Sequence, residues 1–241
     1  MADKKTEEKE TAIEKLNDNL SSAGQKVAEH KKVIFIGIGV IAVIAAFVIS
    51  YLFIYRNPRL QHAAEEFNNV EVTAQNDSAA AAGYMKVSKE YSGSDAGKLA
   101  ALAAAESLLN QASALEADGK AKEAQAKYKE ALAQLENADI DEPLLKVNAI
   151  VLKGDCYVNL GEKNYAKALE CYEEAIKKCD KNPQVAPRVL LKQANIYDAQ
   201  KKYADALKCY QTIQSEYPQF APGNGMTIEA YIARENARLG K

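Results

Sequence analysis

Residues 147–180 read VNAIVLKGDCYVNLGEKNYAKALECYEEAIKKCD, and this stretch carries the pattern that predicts the fold of most of the chain. Apolar and small residues recur at intervals of three and four in both halves, and Gly161 separates the halves. Such spacing puts these residues on one face of each of two helices. The stretch therefore predicts a helical hairpin that turns near Gly161.

The second half of this hairpin contains a template that occurs four times along the chain, at intervals of 38 to 44 residues. An alanine is followed four residues later by a tyrosine and three residues after that by another apolar or small residue. The alanine lets a neighbouring helix come close, and the tyrosine fills the space beside it. Four ordered copies predict an array of hairpins. The pairs are Ala80 and Tyr84, Ala124 and Tyr128, Ala168 and Tyr172, and Ala206 and Tyr210.

This pattern resembles the tetratricopeptide repeat (TPR) family, whose first helices also carry a small residue and an aromatic residue. Gly154 with Tyr157 and Ala194 with Tyr197 occupy those positions here. The resemblance implies an all-α fold, a right-handed superhelical array of TPR-like helical hairpins with a C-terminal capping helix. We expect hairpins at about 59–92, 96–138, 147–180 and 187–220 and a cap at 226–239. The charged outer face of the cap is expected to comprise Glu229, Arg234, Glu235 and Arg238.

Residues 33–55, VIFIGIGVIAVIAAFVISYLFIY, contain no charged side chain. As a helix they would be about 34 Å long, enough to cross a hydrocarbon core of about 30 Å. A buried core helix rarely stays apolar on every face, and a cleaved signal peptide has a shorter apolar region. The stretch therefore predicts one N-terminal transmembrane helix that acts as an uncleaved signal anchor.

The anchor divides the chain into a charged tail, 1–32, and a TPR-like domain, 56–241. Lys26, Lys31 and Lys32 precede the span and Arg56 and Arg59 follow it, a modest bias that favours a cytoplasmic tail. The tail has a weak heptad pattern, which fits either a disordered or interfacial segment or a coiled coil that binds a partner. Beyond the span, Asn57 and Pro58 are expected to lead the chain out of the membrane, with Pro58 starting a new helix.

Composition and motifs give no indication of nucleic-acid binding or of catalysis. The net charge of −2 and pI of about 5.9 do not suggest a nucleic-acid partner. The two histidines, His30 and His62, lie near the span, and no Gly-rich phosphate loop occurs. We therefore expect no catalytic, cofactor-binding or metal-binding residues and no small-molecule substrate, although an enzyme that shares a site with a partner stays open.

The four cysteines leave two alternatives. No pair has the Cys-x-x-Cys spacing of a metal or redox site. They are either small buried residues of packed helices or, in an oxidising compartment, members of one or two disulfides. They are Cys156, Cys171, Cys179 and Cys209.

By resemblance, the first helices of the hairpins form the inner face of the array and bind an extended peptide or a partner's loop. Some TPR proteins capture a free C-terminus with a Lys and an Asn one helical turn apart. Here Leu191 precedes Asn195, so we do not expect such capture. The candidate groove residues are Asn148, Val151, Asp155, Asn159, Arg188, Leu191, Asn195 and Asp198.

The order of tail, anchor and hairpins is similar to that of the bacterial YfgM-like family, membrane-anchored TPR proteins of the ancillary Sec translocon subunit type. The resemblance implies a single-pass protein of the bacterial inner membrane with its C-terminal domain in the periplasm. Its expected partners are the Sec translocon, a periplasmic chaperone or client polypeptides, and its expected role is non-enzymatic. The alternative is a cytosol-facing TPR receptor or assembly scaffold, which needs the opposite topology.

Overall fold

The computed structural model describes residues 30–223 and 225–240, so residues 1–29 of the predicted tail lie outside the described part. Every regular element in the described residues is helical, which confirms the all-α prediction. Contacts divide the chain into two units, one that ends at Arg59 and one that begins at Leu60.

The first unit contains helix α1, Lys31–Ser50, and a π-helical turn, Tyr51–Arg56. Among the described residues, one helical stretch is long and apolar enough to cross a membrane, and it begins at Lys31. Its side chains point outward, with Phe47 73 % exposed. Helix α1 is therefore not packed as a core helix of this chain.

A new α-helix begins beside Pro58, as expected, but no non-helical residue separates it from the preceding turn. Helix α2, Asn57–Thr73, follows the π-helical turn without a gap. In that turn the Asn57 N–H donates to the carbonyl of Leu52, five residues back. A proline ring in a helix collides with the carbonyl four residues earlier, and a widened turn relieves that collision. The chain thus passes Pro58 while remaining helical.

The second unit is an array of helices in which each one, from Asp95–Ala117 onward, packs on its predecessor. The α2 side chain Phe67 packs on Tyr84 of the next helix, with ring centroids 5.2 Å apart. This arrangement confirms the predicted fold class, an all-α array of packed helical pairs with a C-terminal helix. The helices are α3 Asp77–Glu90, α4 Asp95–Ala117, α5 Ala121–Asn137, α6 Pro143–Asn159, α7 Tyr165–Lys178, α8 Ala186–Ala199, α9 Tyr203–Glu216 and α10 Ile228–Arg238.

Local sequence explains where several of these helices begin. The side chains of Asn76, Ser94 and Glu142 accept hydrogen bonds from N–H groups in the first turns of α3, α4 and α6. Between the paired helices, Gly119 and Gly161 have φ of 76° and 97°. Glycine adopts such angles without a Cβ clash, so both residues allow the tight turn inside a hairpin.

The recurring tyrosines lie in the core of the array. Tyr128, Tyr172 and Tyr210 are almost fully buried, and the alanines four residues before them have no exposed surface. In the first hairpin Tyr84 is buried, but Ala80 is only partly covered and Ala81 takes the buried position. The core thus consists of small residues on one helix facing rings on the next.

The capping helix α10 buries Glu235 and half-buries Arg234, so these two residues do not lie on the expected outer face. Tyr231 stacks on Tyr210 of α9 with ring centroids 4.8 Å apart. Helical spacing puts Arg234, Glu235 and Arg238 on the same side as Tyr231. Glu235 is completely buried and accepts hydrogen bonds from both arginines, at 2.6 Å from Arg234 and 3.1 Å from Arg238. Of the four expected outer residues, Glu229 and Arg238 are exposed, and Glu229 is the one whose side chain lies outside this ion network.

The four cysteines are free thiols. Cys156, Cys179 and Cys209 are buried and Cys171 is partly buried. Burial raises the pKa of the Cys156 thiol to about 12 and that of Cys209 to about 11. These thiols pack as small apolar groups that resist ionisation.

Candidate partner-binding groove

A groove of about 400 Å³ crosses the first helices of the second, third and fourth hairpins, α4, α6 and α8. Tyr128 and Tyr172, from the second helices α5 and α7, also line it. We call this cavity the groove. It is lined by Leu109, Ser113, Tyr128, Leu152, Asp155, Val158, Asn159, Tyr172, Lys192 and Asn195.

Helical periodicity explains why these side chains meet. Leu152, Asp155 and Asn159 are three and four residues apart on α6, so they share one face. Lys192 and Asn195 share a face of α8 in the same way. These faces of neighbouring first helices together form the floor of the groove.

Gly154 determines how closely Tyr172 approaches the groove. A Cβ atom at residue 154 would overlap the Tyr172 ring. Because glycine has none, the ring of α7 fits against the backbone of α6 and its hydroxyl reaches the groove side. There the Tyr172 hydroxyl donates to Asp155 Oδ1 at 2.6 Å.

An ion pair joins two first helices at the centre of the groove. Lys192 Nζ on α8 lies 2.7 Å from Oδ1 and 2.9 Å from Oδ2 of Asp155 on α6. The Asp155 side chain is 22 % exposed and that of Lys192 is 39 % exposed. These are the two charged side chains that line the groove. The opposite formal charges of these two side chains therefore cancel within the groove.

The two groove tyrosines keep their protons. Burial, and secondly the nearby Asp155 carboxylate, raises the pKa of Tyr172. Burial, and secondly a hydrogen bond with Glu116, raises the pKa of Tyr128 to about 12. Both hydroxyls are therefore hydrogen-bond donors over the physiological pH range.

Three of the eight candidate residues, Asp155, Asn159 and Asn195, line the groove. Asn159 and Asn195 are exposed, and Asp155 is engaged with Tyr172 and Lys192. The groove thus offers two accessible amides, one on α6 and one on α8. An amide side chain both donates and accepts hydrogen bonds.

The other five candidates lie outside the groove. Asn148 donates from Nδ2 to Glu106 Oε1 at 2.9 Å and so links α6 to α4. Asp198 forms ion pairs with Arg234 and Arg238 of the capping helix. The remaining three are Val151 and Leu191, which pack against apolar clusters, and Arg188, which lines a separate cavity of about 360 Å³.

Lys192 is the charged groove residue that sequence reasoning missed. In the sequence, the lysine of a carboxylate-binding pair was expected four residues before Asn195, and that residue is Leu191. Lys192 is three residues before Asn195, which is also close to one helical turn, and this spacing was the available signal. Leu109, Leu152 and Val158 were missed because apolar residues at helical spacing usually belong to a core.

The groove has the chemistry of a binding surface. It combines apolar side chains, hydroxyl donors, amides and one neutralised ion pair. In the described residues, no group of three or more His, Cys, Asp or Glu side chains is arranged to hold a metal ion.

Comparison with known families matches residues 188–219 to the tetratricopeptide repeat family. The matched residues cover most of α8 and all of α9, the fourth hairpin. Together with the all-helical array, the match supports a TPR protein that acts as a protein–protein interaction module. A search of curated proteins gave no match.

Proposed function

We propose that this chain is a membrane-tethered TPR module that binds an extended segment of a partner polypeptide in the groove. The observation that carries the proposal is the pair of exposed amides, Asn159 and Asn195, on neighbouring helices of one groove. An extended segment has unpaired backbone N–H and C=O groups, and amide side chains pair with both. Leu109, Leu152 and Val158 supply the apolar contacts beside them.

Tethering is supported by the exposed apolar stretch of helix α1, which carries no charged side chain after Lys32. A binding module held at a membrane has a raised effective concentration for partners in the same membrane, without any additional contact. This favours a partner that is itself at the membrane surface.

The resemblance to YfgM-like proteins supports a more specific role. In this proposal the C-terminal domain lies in the periplasm of a bacterial inner-membrane protein. It would assist the secretion or folding of envelope proteins, with the Sec translocon, a periplasmic chaperone or the client chains as partners. The alternative role, a cytosol-facing receptor or assembly scaffold, is supported by the same groove and differs in topology.

Protease protection separates the two topologies. The full chain carries one tag at each end, and protease is added to spheroplasts. In the proposed topology the C-terminal tag is digested and the N-terminal tag is protected. Digestion of the N-terminal tag alone would instead support the cytosol-facing receptor.

Site-specific photo-crosslinking tests the groove itself. A crosslinkable amino acid replaces Asn195 in the groove and, as a matched control, Glu173 on the exposed surface of α7. In native membranes the residue-195 probe should capture a distinct set of proteins, identified by mass spectrometry. Capture of the same proteins with equal yield from residue 173 would show that the groove is not the binding surface.

A further inference from the structure

We infer that Asp155 determines the ligand preference of the groove: it cancels the charge of Lys192, so that the groove accepts an uncharged internal polypeptide segment and rejects a free carboxyl terminus. The inference rests on the proposed function, because it concerns the ligand of the same groove. It adds that the bound segment carries no charge where it contacts the groove.

Without the Asp155 carboxylate, Lys192 and the side chains around it would suit a ligand carboxylate. Lys192 and Asn195 lie one turn apart on α8, and Asn159 lies on the neighbouring helix of the same groove. An ammonium group and amide N–H donors that converge on one space form charge-assisted hydrogen bonds to a carboxylate. In this protein the ammonium group already donates to both Asp155 oxygens, at 2.7 and 2.9 Å.

The Asp155 carboxylate is held in this position from a second direction. The Tyr172 hydroxyl donates to it at 2.6 Å, and Tyr172 itself is almost completely buried. The Tyr172 ring is in turn seated against Gly154. Asp155 therefore has partners on two neighbouring helices, α7 and α8, that oppose its rotation away from Lys192.

The fixed pair penalises charge of either sign on a ligand. A ligand carboxylate that approached Lys192 would meet the negative charge of Asp155, and a ligand ammonium that approached Asp155 would meet Lys192. Both groups are partly shielded from water, so screening weakens this repulsion without removing it. The apolar side chains Leu109, Leu152 and Val158 fit uncharged ligand residues.

The test uses the full chain in detergent micelles, immobilised by a C-terminal tag. Two matched libraries of N-acetylated ten-residue peptides without ionisable side chains are applied, one with a C-terminal amide and one with a free carboxyl group. Peptides retained by the protein are counted by mass spectrometry. The wild type should retain amidated, uncharged peptides in preference to their carboxylate counterparts.

The variant Asp155→Asn should reverse this preference. Its amide oxygen still accepts from Tyr172, but it no longer neutralises Lys192. Affinity for carboxylate-terminated peptides should rise about tenfold, the value of one added charge-assisted hydrogen bond. The matched control is the double variant Asp155→Asn and Lys192→Met, which has no cation and should not gain carboxylate binding. A merely structural role of Asp155 would lower binding of both libraries and raise neither.

Three outcomes would overturn the inference. Preferential retention of carboxylate peptides by the wild type would contradict it, and so would an Asp155→Asn variant that retains its circular dichroism spectrum and shows no carboxylate gain. Both results leave the proposed function standing. Retention of no peptide from either library by the wild type would overturn the proposed peptide-binding function together with this inference.

Discussion

Gly154 lies against the ring of Tyr172, where a Cβ atom would overlap three ring atoms. The ring is buried between two helices, and its hydroxyl holds Asp155 at the groove. One missing side chain therefore determines both the spacing of α6 and α7 and the position of a groove carboxylate.

Gly154→Ala should lower the free energy of unfolding by about 1–3 kcal/mol, because the added methyl group must displace the Tyr172 ring. The better helix propensity of alanine offsets part of this loss, about 1 kcal/mol. Urea titration followed by circular dichroism measures the change. Gly93→Ala is the control, since a Cβ at residue 93 would meet no atom within 4 Å. A Gly154→Ala variant that is more stable than the wild type by about 1 kcal/mol, the full helix-propensity benefit of alanine, would contradict the packing described.

The buried tyrosines predict a loss of stability at alkaline pH. Burial raises the pKa values of Tyr128, Tyr172 and Tyr210 above the ordinary value of 10.0. Between about pH 10 and 12 the unfolded chain therefore binds fewer protons than the folded chain, and stability falls as the pH rises. Below pH 10 this contribution is fully present. Urea titrations at pH 8, 10 and 11.5 should show the decline, and a constant free energy of unfolding would refute it.

At the scale of elements, the capping helix repeats an arrangement found between the third and fourth hairpins. In both places an aspartate on a first helix accepts from a tyrosine of the second helix and from a cation on the next element. The two sets are Asp155 with Tyr172 and Lys192, and Asp198 with Tyr210 and Arg234. Helix α10 therefore takes the place that a fifth hairpin's first helix would occupy.

Glu235→Ala should destabilise the protein by about 3 kcal/mol, because it removes a buried carboxylate and leaves Arg234 and Arg238 without that partner. Thermal melting followed by circular dichroism measures the loss. Glu229→Ala on the exposed side of the same helix is the matched control and should have a much smaller effect. A smaller loss for Glu235→Ala than for Glu229→Ala would mean that α10 packs with its other face.

At the scale of the whole molecule, helix α1 predicts membrane attachment. The double variant Ile41→Arg and Ile44→Arg places two charges near the centre of the apolar stretch, at a cost of about 2.5–3.5 kcal/mol each. The wild type should remain in the membrane pellet after a urea wash, and the variant should appear in the supernatant. Ile41→Leu with Ile44→Leu is the control and should remain in the pellet. Release of the wild type by the wash would contradict an anchoring role.

The pattern of small and aromatic residues predicted the hairpins because helix formation and pairing depend on local spacing. It could not predict the side of α10 that carries Glu235, because that side depends on Asp198, more than thirty residues earlier in the chain. Nor could it select Lys192 over Leu191 for the groove. Adjacent residues differ by about 100° around a helix, so a small rotation of α8 exchanges them.

By itself the sequence determined an all-helical array of hairpins and one helix apolar enough for a membrane, since both follow from periodicity and composition within short segments. Only the tertiary structure decided where the groove lies and what charge it carries. The reason is that Asp155 and Lys192 belong to different hairpins, and the neutralisation of one by the other exists only once α6 and α8 are neighbours.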